Sequence, residues 1–179
     1  MNRLNKQRAY LAGAIDREAD RGKGWRDNIT PFLNNLGVTV FNPLIKPGEI
    51  GKEDENTSSL KKQLKKERRY DELYKVMKAI RGVDLRLVDI SDFLIVNLDL
   101  NTHPCGTYEE IFLANRQKKP ILVRVVQGKE NAPDWLFGTI PHNMIFTFWN
   151  EVMGYLEHIN SGVEIQSQNR WYFFDIKAE

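Results

Sequence analysis

Short, almost purely apolar runs alternate with helical segments along this chain, and this alternation restricts its fold more than any other feature. The runs have the length of strands and lie at Ala9–Ala12, Val38–Phe41, Phe93–Val96 and Ile121–Val126, and Met144–Phe148 is a candidate fifth strand. Strands that are apolar on both faces are typical of a parallel sheet covered by helices on both sides. The sequence therefore predicts an α/β fold, a doubly wound parallel sheet of about five strands with helices on both faces.

Three segments that follow these runs show helical spacing of their apolar residues. They lie at Trp25–Leu36, Thr107–Gln117 and Trp149–Ile159. Gly37 stands where a left-handed residue commonly closes a helix, whereas Pro31 predicts that the first helix starts late or is kinked. In sheets of this type ligands bind beyond the carboxyl ends of the strands, so the residues that follow the apolar runs are the first candidates for a site.

The length of 179 residues suits one domain, and we expect a single domain over residues 1–179 with a charged insertion at about 46–69. The insertion ends in a basic run formed by Lys61, Lys62, Lys65, Lys66, Arg68 and Arg69. Such a run is typical of the solvated face of a helix, and the alternative is a surface that attracts phosphates.

Composition excludes several classes of partner and site. The 26 basic residues against 24 acidic ones leave a formal charge of +2, which is too small to indicate binding to polymeric nucleic acid. A single cysteine excludes an internal disulfide, and no apolar run approaches the ~18 residues of a membrane span, so a cytoplasmic location is expected. The three histidines lack metal-ligand spacing and no nucleotide-binding glycine motif is present, so neither a metal nor a cofactor is expected.

Thr107 and Glu110 lie just beyond the third apolar run, and their spacing has two interpretations. It is the spacing of a capping box, in which Thr107 would cap the helix and Glu110 would bond back to it. A carboxylate at a helix N-terminus is also kept ionised and fixed in direction, as a carboxylate nucleophile requires. The spacing by itself leaves both interpretations open.

Further carboxylates flank the third apolar run. Asp84 could simply begin a short helix that Asp92 ends, while Asp99 and Asn101 should project over the carboxyl end of the strand. A pair of carboxylates from successive loops is what glycoside cleavage requires, one to attack and one to assist the leaving group. Gly13, which follows the first run, suits close approach of a ligand to the backbone.

Four elements of the sequence, in this order, resemble the nucleoside 2-deoxyribosyltransferase family. They are Tyr10-Leu11-Ala12-Gly13-Ala14-Ile15, Trp25-Arg26, Asp84 eight residues before Asp92, and Gly106-Thr107-x-x-Glu110-Ile111-x-x-Ala114. The similarity spans roughly residues 8 to 126, with a looser echo in Arg170–Asp175. The Gly-Thr-x-x-Glu element, which follows a Leu-Asp strand end, is the most specific of the four.

The resemblance implies a flavodoxin-like fold and an enzyme that cleaves the N-glycosidic bond of 2′-deoxynucleosides or their 5′-monophosphates. Glu110 matches the family's nucleophile, which forms a covalent deoxyribosyl intermediate, and Asp84 matches the acid that assists the base. A second base captures the sugar in a transferase, and water captures it in a hydrolase. The expected substrate-binding residues are Gly13, Ile15, Asp16, Asp99 and Gly106.

Two departures from the family pattern are visible. Pro104 stands where the family often has an Asp or Ser that contacts the sugar, so this contact would come from Asp99, Asn101 or His103. Phe112-Leu113-Ala114 replaces a Gly-Tyr-Ala element. These departures support the alternative of a non-catalytic nucleotide-binding module, whereas the two retained carboxylates favour an enzyme.

The expected partner is a small nucleoside or nucleotide, and its phosphorylation state stays open. Arg17, Arg21 and Lys23 could hold a 5′-phosphate or could form a solvated loop. The resemblance also implies a homo-oligomer, with Trp135–Phe137 and the C-terminal segment as candidate contacts.

Overall fold

Five short strands form one sheet. The structure is a computed structural model that describes residues 2–16, 18–46, 48–162 and 170–171. The strands are β1 (Arg8–Gly13), β2 (Thr39–Phe41), β3 (Phe93–Leu98), β4 (Ile121–Val125) and β5 (Ile145–Phe146). Each lies within or overlaps an apolar run, so all five predicted strands are confirmed. The predictions for Arg17 and for residues 172–175 of the C-terminal segment lie outside the described residues.

All strand pairs are parallel, and their order in the sheet is β2-β1-β3-β4-β5. Tyr10 of β1 pairs with Phe41 of β2 on one side and with Leu94 of β3 on the other. This is the strand order of flavodoxin-like folds, in which the chain changes direction across the sheet between β1 and β3. Ligands of such sheets bind at this point, beyond the carboxyl ends of the two strands.

Within the described part of the chain, six α-helices cover the sheet. They are α1 (Lys23–Asn35), α2 (Glu55–Lys66), α3 (Tyr70–Ile90), α4 (Cys105–Arg116), α5 (Asp134–Thr139) and α6 (Trp149–Ser161). α2, α3 and α4 pack on one another, while α1 and α6 meet through the stacked rings of Trp25 and Trp149, whose centroids are 5.5 Å apart. Helices thus lie on both faces, and the predicted doubly wound α/β fold is confirmed.

The buried centre of the sheet explains why its strands are apolar throughout. Phe93, Leu94, Ile95 and Val96 of β3 are fully buried, because helices exclude water from both faces of this strand. Among the described residues, no helix combines the length and the apolar character that a membrane span requires.

α1 shows how local sequence signals were correct at one end of the helix and misleading at the other. Gly37 adopts the left-handed conformation with φ of 74°, as predicted for the residue that closes the helix. The late start predicted from Pro31 is wrong, because α1 begins at Lys23 and continues through Pro31 to Asn35. At the beginning of α1, the two carboxylate oxygens of Asp20 accept hydrogen bonds from the backbone N–H groups of Gly22 and Gly24 at 2.8 and 2.7 Å.

The segment before β3 differs from the short helix that Asp84 was expected to begin. α3 is 21 residues long, and Asp84 lies in its interior on the buried stripe formed with Ile80 and Val88. Asp92 follows the helix and forms a two-point ion pair with Arg8 at the start of β1, with N–O distances of 2.8 and 3.0 Å. Asp92 therefore joins elements at the opposite edge of the sheet, while Asp84 faces the carboxyl ends of the strands.

Candidate active site

A cavity of about 340 Å³ lies at the carboxyl ends of β1 and β3, at the point where the strand order predicts a ligand site. We call it the acid cavity, because carboxylates predominate among its ionisable groups. Its lining from the described residues comprises Gly13, Ala14, Ile15, Asp16, Glu53, Met77, Ile80, Arg81, Asp84, Leu85, His103, Pro104, Cys105, Gly106, Thr107, Glu109 and Glu110. Five carboxylates thus face one small space together with a single arginine.

Glu110 projects from the buried face of α4, and its residue surface is only 8% exposed. Its Oε1 accepts a hydrogen bond of 2.7 Å from the hydroxyl of Tyr10, which is buried on β1. The expected capping box is absent, because α4 begins at Cys105 with Pro104 as its N-cap and no side chain caps it. Thr107 instead lies inside the helix and is buried. Glu110 is therefore oriented by a tertiary contact and has no part in capping the start of the helix.

Burial raises the pKa of Glu110 to about 8, because the ionised form loses its hydration. The hydrogen bond from Tyr10 and the charge of Arg26 oppose this shift, while the neighbouring charges of Asp84 and Glu53 add to it. The carboxylate is thus held in a place where its charge is costly, as is common for groups that react.

Asp84 is 9% exposed and forms an ion pair with Lys46, whose Nζ lies 2.7 Å from Asp84 Oδ1. The same ammonium lies 2.9 Å from Oε2 of Glu53 and donates to the carbonyl of Gly51 at 2.8 Å. The side chain of Lys46 is only 1% exposed. The ammonium therefore donates hydrogen bonds to Gly51 and Glu53, and its contact with Asp84 is an ion pair.

Burial also raises the pKa of Asp84, to about 6, and the charge of Glu53 contributes to the increase. Lys46 and Arg26 favour the ionised form and limit the shift. Since the charge of Asp84 raises the pKa of Glu110, the two carboxyl groups lose their protons one after the other, Asp84 first. Between the two pKa values the pair holds one proton and one negative charge.

Arg26 fixes the loop that follows β1. Its guanidinium is buried and donates to the carbonyls of Leu11, Gly13 and Gly22 at 3.3, 2.9 and 2.9 Å. The group also lies over the ring of Trp25, 4.5 Å from its centroid. A Cβ on Gly13 would come within 2.9 Å of this same ring, so Gly13 is required by packing against Trp25. The sequence had suggested close approach of a ligand as the reason for this glycine.

Most of the predicted site residues meet in the acid cavity. Glu110, Asp84, Gly13, Ile15, Asp16 and Gly106 all line it. The structure does not bring Asp99 there, since its Oδ1 accepts from Gln127 at 2.5 Å and from the backbone of Asn101 at 2.9 Å. Asp99, Asn101 and His103 were the candidates for the sugar contact in place of Pro104. Of these three residues, His103 lines the cavity.

The segment 46–69 is more than the solvated helix face that its composition suggested. From its first half, Glu53 lines the acid cavity and Lys46 pairs with Asp84 of its lining, and α2 supplies Lys61, which is 6% exposed. Lys61 pairs with Asp16 at 2.7 Å and thereby ties α2 to the loop after β1. The interpretation as a purely solvated insertion is therefore wrong for these residues.

Tyr10, Arg26, Lys46 and Glu53 were not singled out as site residues by sequence reasoning. Arg26 carried a usable signal, because it shares the buried stripe of α1 with Ile29 and Leu33. Lys46 and Glu53 carried none, since charged residues in a polar segment are ordinarily solvated. No three His, Cys, Asp or Glu side chains within the described ranges are grouped so as to hold a metal ion.

Comparison of the sequence with known proteins finds no matching protein family and no similar curated protein. Comparison of the structure finds a 2-deoxyribosyltransferase from Bacillus psychrosaccharolyticus with a TM-score of 0.57 at 19% identity, covering 83% of this chain and 91% of that protein. A Clostridium botulinum CMP N-glycosidase gives 0.48 at 18% identity over 86% and 99% of the two chains. A conserved protein from Enterococcus faecalis V583 gives 0.45 at 18% identity over 87% and 88%. The first of these likenesses shows a common fold, and the flavodoxin-like fold is confirmed.

Proposed function

We propose that this chain is a member of the nucleoside 2-deoxyribosyltransferase family and cleaves the N-glycosidic bond of 2′-deoxynucleosides or their 5′-monophosphates. Glu110 is the nucleophile and Asp84 is the acid that assists the departing base. The proposal rests on the sequence resemblance and on the common fold, and the arrangement of the two carboxylates supports it.

The observation that carries the proposal is the pairing of Glu110 and Asp84 in one cavity, each held by its own partner. Tyr10 engages Oε1 of Glu110, which leaves Oε2 without a donor among the described residues and able to attack. Lys46, in the segment before α2, forms an ion pair with Asp84, so the two carboxyl groups lie in different environments. Two carboxyl groups with separate environments are what cleavage of a glycosidic bond requires.

In the first half of the reaction, a carboxylate oxygen of Glu110 forms a bond to C1′ while the bond from C1′ to the base nitrogen breaks. The electron pair of that bond goes to the base, and the proton of Asp84 neutralises it. The products are the free base and a deoxyribosyl ester of Glu110. A sugar without a 2′-hydroxyl reaches the oxocarbenium-like transition state more easily, since no electron-withdrawing oxygen lies next to C1′.

In the second half, an acceptor attacks C1′ and releases Glu110 as a carboxylate. The acceptor loses a proton to Asp84, which restores the starting state. A base as acceptor gives transfer to a new nucleoside, and water gives hydrolysis to the free sugar. Transfer is the activity that we propose, and hydrolysis of deoxynucleoside 5′-monophosphates is the alternative.

The proton count of the pair fits this cycle. Around neutral pH the pair holds one proton, because the pKa values of Asp84 and Glu110 are about 6 and about 8. Because the pKa of Glu110 is the higher of the two, this proton lies mainly on Glu110 before a substrate binds. The proposed step needs the proton moved to Asp84, which leaves the charge on Glu110, next to Arg26 and the Tyr10 hydroxyl. Both neighbours favour the ionised form of Glu110.

The test is chromatography of the products from a panel of deoxynucleosides and their 5′-monophosphates, each with and without a free acceptor base. A new nucleoside that forms only with acceptor establishes transfer, and free base released without acceptor establishes hydrolysis. Glu110→Gln should lower either rate by at least about a thousandfold, since the amide cannot form the ester intermediate. Mass spectrometry of the enzyme quenched during turnover should find the deoxyribosyl adduct on the peptide that contains Glu110.

Glu157→Gln is the matched control, because Glu157 is an exposed carboxylate on α6. It should retain full activity. An active Glu110→Gln variant would exclude Glu110 as the nucleophile. If no donor yields product while binding is still measurable by calorimetry, the chain is a nucleotide-binding module and the proposed activity is wrong.

We also propose that the chain works as a homo-oligomer. Trp135 and Phe137 on α5 are 77% and 42% exposed, and large apolar side chains in such positions are common at subunit contacts. Light scattering after size-exclusion chromatography tests this proposal, and Trp135→Ala should shift an oligomer toward the monomer.

A further inference from the structure

A second cavity, of about 890 Å³, adjoins the acid cavity and shares Ile15, Asp16 and His103 with it. We call it the basic cavity. The described residues that line it are Ile15, Asp16, Glu18, Ala19, Arg21, Glu55, Ser58, Ser59, Lys61, Lys62, Lys65 and His103. The two cavities therefore border each other along these three residues.

One face of α2 provides most of the positive charge. Ser58, Lys61, Lys62 and Lys65 follow helical spacing, so their side chains share the face that borders the basic cavity. Lys61 is occupied by Asp16, whereas Lys62 and Lys65 are exposed and form no ion pair with any described residue. Two ammonium groups and two serine hydroxyls thus remain available to a ligand.

Arg21 faces these lysines from the loop after β1. Its guanidinium donates a hydrogen bond to the backbone carbonyl of Glu53. The other N–H donors of this guanidinium have no hydrogen-bond partner among the described residues. Arg21 has φ of 58°, a left-handed conformation that favours glycine or asparagine.

The charges of the two cavities differ in sign. Of the groups that line the basic cavity, Arg21, Lys62 and Lys65 face the carboxyl groups of Glu18 and Glu55. Burial and the neighbouring charges of Asp99 and Asp20 raise the pKa of Glu18. Among the described residues that line the acid cavity, Arg81 is paired with Glu109, and the remaining carboxylates would repel an anion.

From this juxtaposition we infer that the basic cavity binds the 5′-phosphate of the substrate, through Lys62, Lys65 and Arg21. The substrate is then a deoxynucleoside 5′-monophosphate, with its sugar at Glu110 and its phosphate across the wall formed by Ile15, Asp16 and His103. This inference rests on the proposed function and goes beyond it in naming the substrate class and the residues that select it. A phosphate dianion is matched by two ammonium groups and a guanidinium, as phosphate sites commonly are.

The experiment compares the release of base from a deoxynucleoside and from its 5′-monophosphate, using the wild type, the double variant Lys62→Ala/Lys65→Ala and the control Lys75→Ala. Lys75 is an exposed lysine of α3 that lines neither cavity. The wild type should prefer the monophosphate in kcat/KM by at least about tenfold, as expected when a charged hydrogen bond is gained. The double variant should lose this preference at least about tenfold, and Lys75→Ala should keep it.

Calorimetry with inorganic phosphate separates this inference from the proposed function. Phosphate should bind the wild type and should bind the double variant at least about tenfold more weakly. Equal cleavage of both donors by the wild type, or equal preference in the double variant and the wild type, overturns the phosphate site and leaves the glycosidase activity standing. Phosphate binding that depends on the two lysines, without cleavage of any donor, supports the site and overturns the activity.

Discussion

The acid cavity and the basic cavity adjoin each other, yet they hold their charges in opposite ways. Asp84 and Glu110 are almost completely buried, and each has a side-chain partner that fixes it. Lys62 and Lys65 are exposed and have no ion-pair partner among the described residues. Burial shifts the pKa of a group and fixes the direction of its side chain. An exposed charge is screened by solvent and acts mainly through the electrostatic potential that it creates at the surface.

This difference corresponds to two roles for charged groups in the proposed site. Groups that react need a defined direction and an altered proton affinity, and both come from removal of water. Groups that attract a charged part of a substrate need only to be present in number and free to adjust. We therefore expect substitutions in the acid cavity to have large effects on catalysis and on the free energy of unfolding. A substitution in the basic cavity should change the free energy of unfolding only slightly.

Asp84→Asn should have the largest effect on catalysis, a loss of about 100- to 10,000-fold with natural donors, because the base then leaves without a proton. The loss should be much smaller with an N7-methylated purine deoxynucleoside, whose base already carries a positive charge and leaves unaided. Comparison of kcat/KM for the two donors measures this difference. An equal loss with both donors would assign Asp84 to binding rather than to proton donation.

Lys46→Met should destabilise the fold by about 3–5 kcal/mol, because it leaves the carboxylates of Asp84 and Glu53 buried without a cation. Lys65→Met, in the basic cavity, should change the free energy of unfolding by less than about 0.5 kcal/mol. Urea unfolding of both variants at pH 8 compares the two lysines directly. Similar values for the two would contradict the distinction between the cavities.

Tyr10→Phe should lower kcat/KM by about 10- to 100-fold, since Glu110 loses a hydrogen bond that favours its ionised form. Removal of this bond raises the pKa of Glu110, so the alkaline limb of the pH–rate profile should move to higher pH. Tyr70→Phe on the exposed face of α3 is the control and should change neither quantity. A rate loss without a moved limb would indicate a packing role for Tyr10.

The pH dependence should show the smallest but most specific effects. The rate should follow a bell between the pKa values of about 6 and about 8, because the reactive pair needs one proton and loses it above or gains a second below. Glu53 raises both pKa values, so Glu53→Gln should move both limbs to lower pH. Lys46 lowers the pKa of Asp84, so Lys46→Met should move the acidic limb the other way. Shifts in the same direction would contradict the assigned charges.

Sequence reasoning succeeded wherever a residue's neighbours along the chain decide its environment. The apolar runs predicted β1 to β5, and Gly37 predicted the end of α1, because burial of a strand and closure of a helix are local properties. It failed where a nearby pattern had two physical explanations. The spacing of Thr107 and Glu110 fits a capping box, but α4 begins at Cys105, with Pro104 as its N-cap. Glu110 instead accepts a hydrogen bond from Tyr10, a residue 100 positions away.

The site itself could be predicted in part for the same reason. Glu110 and Asp84 were identified by motif, and both lie in one cavity. Asp99 also follows β3, but Gln127 on a neighbouring element engages it outside that cavity. Contacts from other elements decide which polar residue at a strand end faces the cavity. The spacing of residues along one strand gives no information about these contacts.

The sequence by itself determined the parallel sheet and the edge of the sheet at which the acid cavity lies, because apolar runs and strand ends fix these through local geometry. Its resemblance to a known family pointed to the two carboxylates. Only the tertiary structure decided the state of those carboxylates. Tyr10, Arg26, Lys46 and Glu53 come from β1, α1 and the segment before α2, and they act on Asp84 and Glu110 through space. Charge–charge energies depend on distance and on burial, and both are created only when the chain folds.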